Sequence, residues 1–267
     1  MRVVTRLGRV HVTVTGAGDA IVLWPSLLMD GSLWDAQVAH FSRDHQVIAV
    51  DPPGHGRSGR LDRGFTFDEC AETILDVLDH LDVPRAHVVG NSWGAMIGGT
   101  FAARFSDRIG CAVLMNGTAT PAPRLQKVQF AMLLGLARML RGIRPPLTGS
   151  VVRAFLGPTT RRTRPAVVRR VIETAARNDV VSVAHAVRSV VMERPDQRGL
   201  FGSITCPVLV VAGREDRTFP LGELKVMARS IPGSEFAIVE DAAHLVAAEV
   251  PATVNSLVEA FLARHPL

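Results

Sequence analysis

Residues 88–96 read VVGNSWGAM and place one serine between two glycines, directly behind an apolar stretch. The preceding AHVVG has the pattern of a buried strand, and the following AMIGGTFAARF has apolar residues at helical spacing, so Ser92 is predicted at a strand-to-helix junction. Gly90 and Gly94 suit the crowded backbone of so tight a turn. This G-x-S-x-G pattern is typical of a nucleophile elbow, which exposes a serine hydroxyl at the N-terminus of a helix.

A serine is a weak nucleophile at neutral pH, so Ser92 needs a general base, and the base needs an acceptor that fixes its tautomer. His244, in VEDAAHLVAAEVP, follows one predicted strand and precedes the last helix. Asp216 and its neighbour Glu215, in VVAGREDRTFP, are two candidate acceptors behind another strand. His55 is the alternative base, but its glycine-rich loop DPPGHGRSG is more typical of a backbone-shaping turn. His244 is therefore favoured as the base.

Strand and helix patterns alternate along the chain. VHVTVTG alternates like an antiparallel strand, and the buried-strand patterns are AIVLW, HQVIAV, AHVVG, CAVLMNG, PVLVVAG and EFAIVE. Thr66 and Glu69 form a potential capping box before an amphipathic helix. This order predicts the α/β class, with a mainly parallel sheet that is covered by helices on both faces, and ligands beyond the carboxyl ends of the strands.

Residues 118–203 interrupt this alternation with several helical patterns and no strand. We therefore expect a core made of residues 1–117 and 204–267, and an all-helical lid insertion over Ser92. The alternative is a helical decoration that takes no part in ligand binding.

The insertion is also strongly basic. The formal net charge of the chain is +5, yet residues 121–200 contain fifteen Arg or Lys and four Asp or Glu, so the remainder is acidic. There is no RNA-binding signature, no interleaving of aromatic residues and no tyrosine, so we expect no nucleic-acid partner. Most of these arginines are expected to face solvent, and one or two that turned inward would bind an anionic substrate.

The composition limits the remaining classes. The 267 residues suit one α/β domain with an insertion, no apolar run reaches the roughly 18 residues of a membrane helix, and the first residues lack the layout of a signal peptide. Cys70, Cys111 and Cys206 are odd in number, far apart and set in apolar patterns. They predict free buried thiols and a reducing cytoplasm, with no metal site and no membrane partner.

The chain resembles the α/β-hydrolases over essentially its full length. The resemblance rests on the chain order Ser92, Asp216, His244, on the loop DPPGHGRSG and on the strand ending GREDRTFP. It implies an α/β-hydrolase fold in which Ser92 is the nucleophile, His244 the base, and Asp216 rather than Glu215 the orienting acid.

The resemblance also implies an oxyanion hole. One donor is the backbone N–H of Trp93, directly behind the nucleophile. Many relatives have His-Gly where this chain has Pro25 and Ser26, and the residue after that pair supplies the second N–H, which here is Leu27. Proline has no N–H, whereas the Ser26 hydroxyl is an additional potential donor.

One loop, PSLLMDGSLWDAQ, is similar to the Asn-Ser-Leu and Trp-Asp-x-Gln pattern of 3-oxoadipate enol-lactonases. Trp93 and Ala95 stand where those enzymes usually have methionine and glycine, so the likeness to this subgroup is good in the loop and poor at the elbow.

These observations predict a cofactor-independent serine hydrolase that acts on a small or medium carboxylic ester or lactone. A C–C bond hydrolase or a perhydrolase-like enzyme would use the same triad, and a ligand-binding protein that has lost turnover would keep the pocket. The only partner expected is the small-molecule substrate, although a homo-oligomer is compatible with the sequence. The residues expected to contact the substrate are Trp24, Ser26, Leu28, Met132 and Met139.

Overall fold

A computed structural model describes residues 1–267 and contains one eight-stranded sheet. The strands are β1 (Arg2–Thr5), β2 (Gly8–Thr15), β3 (Asp19–Trp24), β4 (His45–Asp51), β5 (Ala86–Asn91), β6 (Ile109–Met115), β7 (Val208–Gly213) and β8 (Glu235–Val239). Their order in the sheet is β1-β2-β4-β3-β5-β6-β7-β8. Only the β1/β2 and β2/β4 pairs are antiparallel, so the expected mainly parallel sheet is present.

Twelve α-helices accompany the sheet. They are α1 (Asp35–Phe41), α2 (Phe67–His80), α3 (Trp93–Arg104), α4 (Arg124–Met139), α5 (Leu147–Phe155), α6 (Pro158–Thr163), α7 (Pro165–Arg177), α8 (Val180–Val187), α9 (Arg198–Phe201), α10 (Leu221–Arg229), α11 (Val246–Glu249) and α12 (Pro251–Leu262). A 3₁₀ turn covers Gly31–Trp34, and a π-helical turn covers Arg188–Met192. No helix is long and apolar enough to cross a membrane.

The start of α2 shows how local sequence sets an element. The Thr66 hydroxyl accepts a hydrogen bond from the Glu69 amide at 3.1 Å, and the Glu69 carboxylate accepts one from the Thr66 amide at 2.8 Å. Both predicted halves of the capping box are therefore present, and they satisfy two backbone donors that the first turn leaves free.

The central strands are apolar on both faces because helices cover both faces of the sheet. Every residue of β5 and of β7 is buried, as expected for parallel strands between two helical layers. Parallel strands also bring their carboxyl ends to one edge of the sheet. The loops behind β5, β7 and β8 carry Ser92, Asp216 and His244, so this edge collects the candidate site residues.

All three cysteines are free. Cys70 and Cys111 are buried, as expected, but Cys206 is only partly buried because it lies just before β7. Burial raises the pKa of the Cys111 thiol to about 12 and that of the Cys206 thiol to about 11. Such thiols are almost entirely protonated at neutral pH and are therefore poor nucleophiles.

Six helices, α4 to α9, lie between β6 and β7 with no strand among them. We refer to residues 118–203 as the helical insertion. Two of its arginines pair with acidic residues of the rest of the chain: Arg177 with Asp30 at 3.3 Å, and Arg170 with Asp35. These pairs are largely exposed and contribute little stability singly, so apolar packing must supply most of the attachment.

Candidate active site

The backbone at Ser92 is strained in the way that the glycine spacing requires. Ser92 has φ +58° and ψ −109°, a region that residues with a side chain seldom occupy. A Cβ on Gly90 would lie 2.1 Å from the Gly94 carbonyl oxygen, and a Cβ on Gly94 would lie 2.0 Å from the Trp24 carbonyl oxygen. No side chain fits at either position, so these two glycines allow β5 to pass directly into α3.

Three side chains meet at the carboxyl edge of the sheet. The His244 Nε2 atom lies 2.8 Å from the Ser92 Oγ atom, and the His244 Nδ1 atom lies 2.9 Å from Asp216 Oδ2. Because an ionised carboxylate only accepts hydrogen bonds, Nδ1 carries the proton and Nε2 is free to accept the Ser92 hydroxyl proton. His244 is 1 % exposed, and Ser92 and Asp216 are each 6 % exposed. The arrangement can activate a serine hydroxyl in a site that largely excludes water.

Three hydrogen bonds, in addition to the one with His244, hold the Asp216 carboxylate in place. Its Oδ1 atom accepts hydrogen bonds from the amides of Thr218 at 2.7 Å and Phe219 at 3.2 Å. Its Oδ2 atom accepts a further bond from the Asn116 side-chain amide at 2.8 Å. Asn116 directly follows β6 and has φ +49°; as a neutral residue it was rejected as the acid from the sequence, and its supporting role was not predicted. The one sequence feature that pointed to Asn116 was its position directly behind β6, the strand that pairs with β7.

Glu215, the alternative acid, points away from His244. Its carboxylate accepts hydrogen bonds from the Thr159 amide at 3.0 Å and from the Thr159 hydroxyl at 2.5 Å, both at the start of α6 in the helical insertion. These two adjacent carboxylates therefore have different partners: Asp216 faces His244, and Glu215 attaches the helical insertion to the loop behind β7.

Glu249 is a second carboxylate that sequence reasoning missed. It is 1 % exposed and accepts hydrogen bonds from the amides of Ala243 and Leu245, the two neighbours of His244. It also accepts one from the amide of Gly157, the residue before α6. Burial raises the pKa of Glu249, although these hydrogen bonds act in the opposite direction. The same side chain thus supports the His244 loop and the insertion.

The loop behind β3 forms a tight turn. The Met29 amide donates to the Ser26 carbonyl at 3.0 Å, and Leu28, at the third position, has φ +67°, the geometry of a type II turn. The amides of Leu27 and Trp93 donate to no other group of the protein. Leu27 and Ser92 line the same cavity, and the Trp93 amide directly follows Ser92 in the chain, so both amides could donate to a developing oxyanion.

His55, the alternative base, supports this turn. Its Nε2 atom lies 3.2 Å from the Leu28 amide nitrogen, and its Nδ1 atom lies 3.0 Å from the Pro53 carbonyl oxygen. The carbonyl can only accept, so Nδ1 is the protonated nitrogen and Nε2 accepts from Leu28. Burial lowers the pKa of His55, which favours this neutral form.

A cavity of about 340 Å³ opens above Ser92 and His244. The helical insertion supplies most of its apolar wall, including Phe130, Leu133 and Phe155. Leu28 lines the cavity as expected. The result is a chiefly apolar chamber beside the three meeting side chains.

The prediction that Met132 and Met139 line the pocket is wrong. These two residues are 66 % and 72 % exposed, because the inward face of α4 carries Phe130, Leu133 and Leu134 and the methionines lie on the opposite face.

The prediction that Trp24 and Ser26 line the pocket is also wrong. Neither lines the cavity, and both are fully buried. The Trp24 ring packs edge-on against the ring of Trp93 at 5.7 Å, and Trp93 in turn stacks on Phe65 at 5.4 Å. Both indoles therefore belong to the core beneath the elbow, because the turn directs the Trp93 side chain inward.

The comparisons with known proteins agree with this architecture. Residues 19–251 match the family described as alpha/beta hydrolase fold. The chain is 27% identical to 3-oxoadipate enol-lactonase 2 of Acinetobacter baylyi, over 92% of this chain and 89% of the relative. It is 30% identical to the 2-hydroxy-6-oxononadienedioate/2-hydroxy-6-oxononatrienedioate hydrolase of Paraburkholderia phymatum, over 95% of this chain and 91% of the relative.

Solved structures show the same likeness. A thermophilic esterase from Thermogutta terrifontis superposes with a TM-score of 0.92 at 25% identity, covering 100% of this chain and 99% of the esterase. The enol-lactonase from Burkholderia xenovorans superposes with a TM-score of 0.90 at 25% identity, covering 98% of this chain and 100% of the enzyme. The expected fold is confirmed, and the chain belongs to the α/β-hydrolase fold family.

Proposed function

We propose that the protein is a serine hydrolase that cleaves a small or medium carboxylic ester or lactone without a cofactor. The observation that carries the proposal is the position of His244, whose two ring nitrogens lie 2.8 Å from the Ser92 hydroxyl and 2.9 Å from the Asp216 carboxylate. Each of these side chains then has the partner that nucleophilic catalysis requires.

In the first half-reaction the Ser92 Oγ atom attacks the substrate carbonyl carbon while its proton passes to His244 Nε2. The imidazolium that forms is stabilised by Asp216. When the tetrahedral intermediate collapses, His244 returns this proton to the leaving oxygen, and an ester of Ser92 remains. A lactone opens in the same step, and its alcohol stays attached to the acyl group.

Water completes the cycle. His244 takes a proton from the water, the hydroxide attacks the acyl carbonyl, and the acid leaves as Ser92 recovers its proton. In both tetrahedral intermediates the negative oxygen would accept hydrogen bonds from the amides of Leu27 and Trp93. The N-terminus of α3 favours the same charge.

The helical insertion would act as a lid. It contributes apolar side chains such as Phe130 and Leu133 to the cavity that also contains Ser92, and Glu215 and Glu249 attach it to the Asp216 loop and to the His244 loop. An apolar roof keeps water away from the acyl group until a molecule enters for the second half-reaction.

A fluorophosphonate probe tests the proposal directly. An activated Ser92 should be phosphonylated, and intact-mass measurement should show one adduct that the Ser92→Ala variant lacks. A protein that only binds ligands would remain unlabelled and would hydrolyse nothing in a panel of esters and lactones, which would overturn the proposal.

A C–C bond hydrolase is the second candidate. The relative at 30% identity hydrolyses a compound whose name specifies a ketone and two carboxylates but no ester. Turnover of a 6-oxo dienoate that exceeds turnover of every ester and lactone would favour this candidate. A perhydrolase-like enzyme would instead require peroxide for its main product.

A further inference from the structure

Arg194 differs from the other arginines of the helical insertion. Most of those arginines reach solvent, whereas Arg194 is 4 % exposed and lines the cavity that contains Ser92 and His244. It lies between the π-helical turn and α9, where the chain returns from the insertion toward β7.

The hydrogen bonds of Arg194 are incomplete. Its Nε atom donates to the Thr120 carbonyl at 2.8 Å, and neither terminal nitrogen donates to a group of the protein. Glu223 is the carboxylate that affects Arg194 electrostatically, but the two form no ion pair. Glu223 instead accepts hydrogen bonds from the hydroxyls of Thr118 and Thr120. The guanidinium thus keeps two free donor groups.

The guanidinium also lies close to the catalytic centre. It stacks over the Phe219 ring, 5.5 Å from the ring centroid, and the Phe219 and His244 rings are 5.4 Å apart. One aromatic ring therefore separates the Arg194 charge from the imidazole. A substrate held at Ser92 needs only a short chain to reach it.

No aspartate or glutamate lines this cavity. Its charged lining consists of Arg194 and of Arg217, whose side chain is exposed. Burial lowers the pKa of Arg194 to about 10, so the guanidinium still carries its charge at neutral pH. A buried cation with free donors is costly to leave unpaired, and a carboxylate is the group that fits its fork.

We propose that the substrate carries a carboxylate, which the terminal nitrogens of Arg194 bind while Ser92 attacks the ester or lactone carbonyl. This inference rests on the proposed hydrolase function. The substrate class is the monoester or lactone of a short dicarboxylic acid: its free carboxylate pairs with Arg194, and its methylene groups contact the apolar wall.

The test compares two matched substrates. One is the p-nitrophenyl monoester of a short dicarboxylic acid, and the other is the p-nitrophenyl ester of the monocarboxylic acid of equal chain length. Arg194→Met should lower the ratio of kcat/KM for the anionic ester to that for the neutral ester by about a hundredfold. Arg194→Lys keeps the charge but not the fork, so it should lower the ratio by about tenfold.

Arg162→Met is the matched control. Arg162 is an exposed arginine of the same insertion whose side chain forms no hydrogen bond or ion pair, so its removal changes the net charge equally and should leave the ratio within about twofold. If Arg194→Met slows both esters equally, Arg194 only supports the fold, and the inference is wrong. A wild-type protein that prefers the neutral ester would also overturn it.

A binding measurement separates this inference from the proposed function. The Ser92→Ala variant should bind the dicarboxylic monoester in calorimetry, and adding Arg194→Met should weaken this binding about a hundredfold without changing the weak binding of the neutral ester. If the wild type is not labelled by a fluorophosphonate but this difference in binding persists, the hydrolase proposal fails while the anion site stands. If labelling succeeds and the difference is absent, the anion site fails alone.

Discussion

The Glu249 carboxylate accepts a hydrogen bond from the Gly157 amide at 3.0 Å, across 92 residues of chain. Glu249 belongs to the segment behind His244, and Gly157 is the residue that precedes α6 of the helical insertion. A single buried side chain therefore connects the loop of the proposed general base with the proposed lid. A surface ion pair would be a weaker connection, because a buried charge-assisted hydrogen bond is stronger than an exposed one.

Glu249→Gln should lower the free energy of unfolding by about 1–3 kcal/mol, because the glutamine NH₂ group would face at least one backbone N–H that now has an acceptor. Urea unfolding of both proteins measures the difference. Glu240→Gln removes a carboxylate that pairs with Arg214 at the surface, and it should leave the unfolding midpoint unchanged. Equal midpoints for the Glu249 variant and the wild type would contradict the proposed connection.

The triad variants should behave as one unit. Ser92→Ala and His244→Ala should each lower kcat by about a thousandfold or more, and the double variant should lose little beyond that. Kinetics of the three variants, with circular dichroism to check folding, measure the effect. Losses that multiply in the double variant would show that the two residues act separately.

Asp216→Asn should act through the tautomer of His244. The asparagine oxygen would stay with the amides of Thr218 and Phe219, so its NH₂ group would face His244 Nδ1. Nδ1 could then only accept, the proton would move to Nε2, and the Ser92 hydroxyl would lose its base. We expect kcat to fall by about a thousandfold or more with KM little changed. A variant with nearly normal kcat would assign the acid elsewhere.

Leu27→Pro tests one of the two proposed oxyanion donors. Leu27 is the second residue of the Ser26–Met29 turn, where type II geometry accepts proline, so the substitution removes the N–H with little change of backbone. We expect kcat to fall by about a hundredfold or more, whereas Leu27→Ala should keep most of the activity. Equal kcat values in the two folded variants would place the donor at another amide.

His87 should make the fold sensitive to acid. Burial lowers its pKa from 6.5 to about 4, so between these values the unfolded chain binds a proton that the folded chain does not. The free energy of unfolding therefore falls as pH falls through this range, by about 1.5 kcal/mol between pH 6.5 and pH 5. Urea titrations at several pH values should show this loss in the wild type and a smaller one in His87→Leu. Parallel pH curves would contradict the assignment.

Local sequence was sufficient for the parts of the protein that depend on local physics. The pattern of apolar residues predicted seven of the eight strands, β2 to β8, Thr66 and Glu69 predicted the start of α2, and the spacing of Gly90 and Gly94 predicted the sharp turn. Each of these features depends on contacts within a few residues, or on the buried faces that a strand or helix must present.

Only the tertiary structure decided which side chains of equal chemical type face the site. Asp216 and Glu215 are adjacent, and only the resemblance to the α/β-hydrolases favoured Asp216; in the structure the loop directs Asp216 toward His244 and Glu215 toward Thr159. Arg194 lines the cavity, whereas Met132, whose long apolar side chain would suit a pocket, is exposed to solvent. The direction of a side chain depends on how its helix or loop is oriented against the neighbouring elements, and those elements are distant in the chain. The supporting roles of Asn116 and Glu249 were not predicted for the same reason, because hydrogen-bond partners such as Asp216 and Gly157 are distant in the chain.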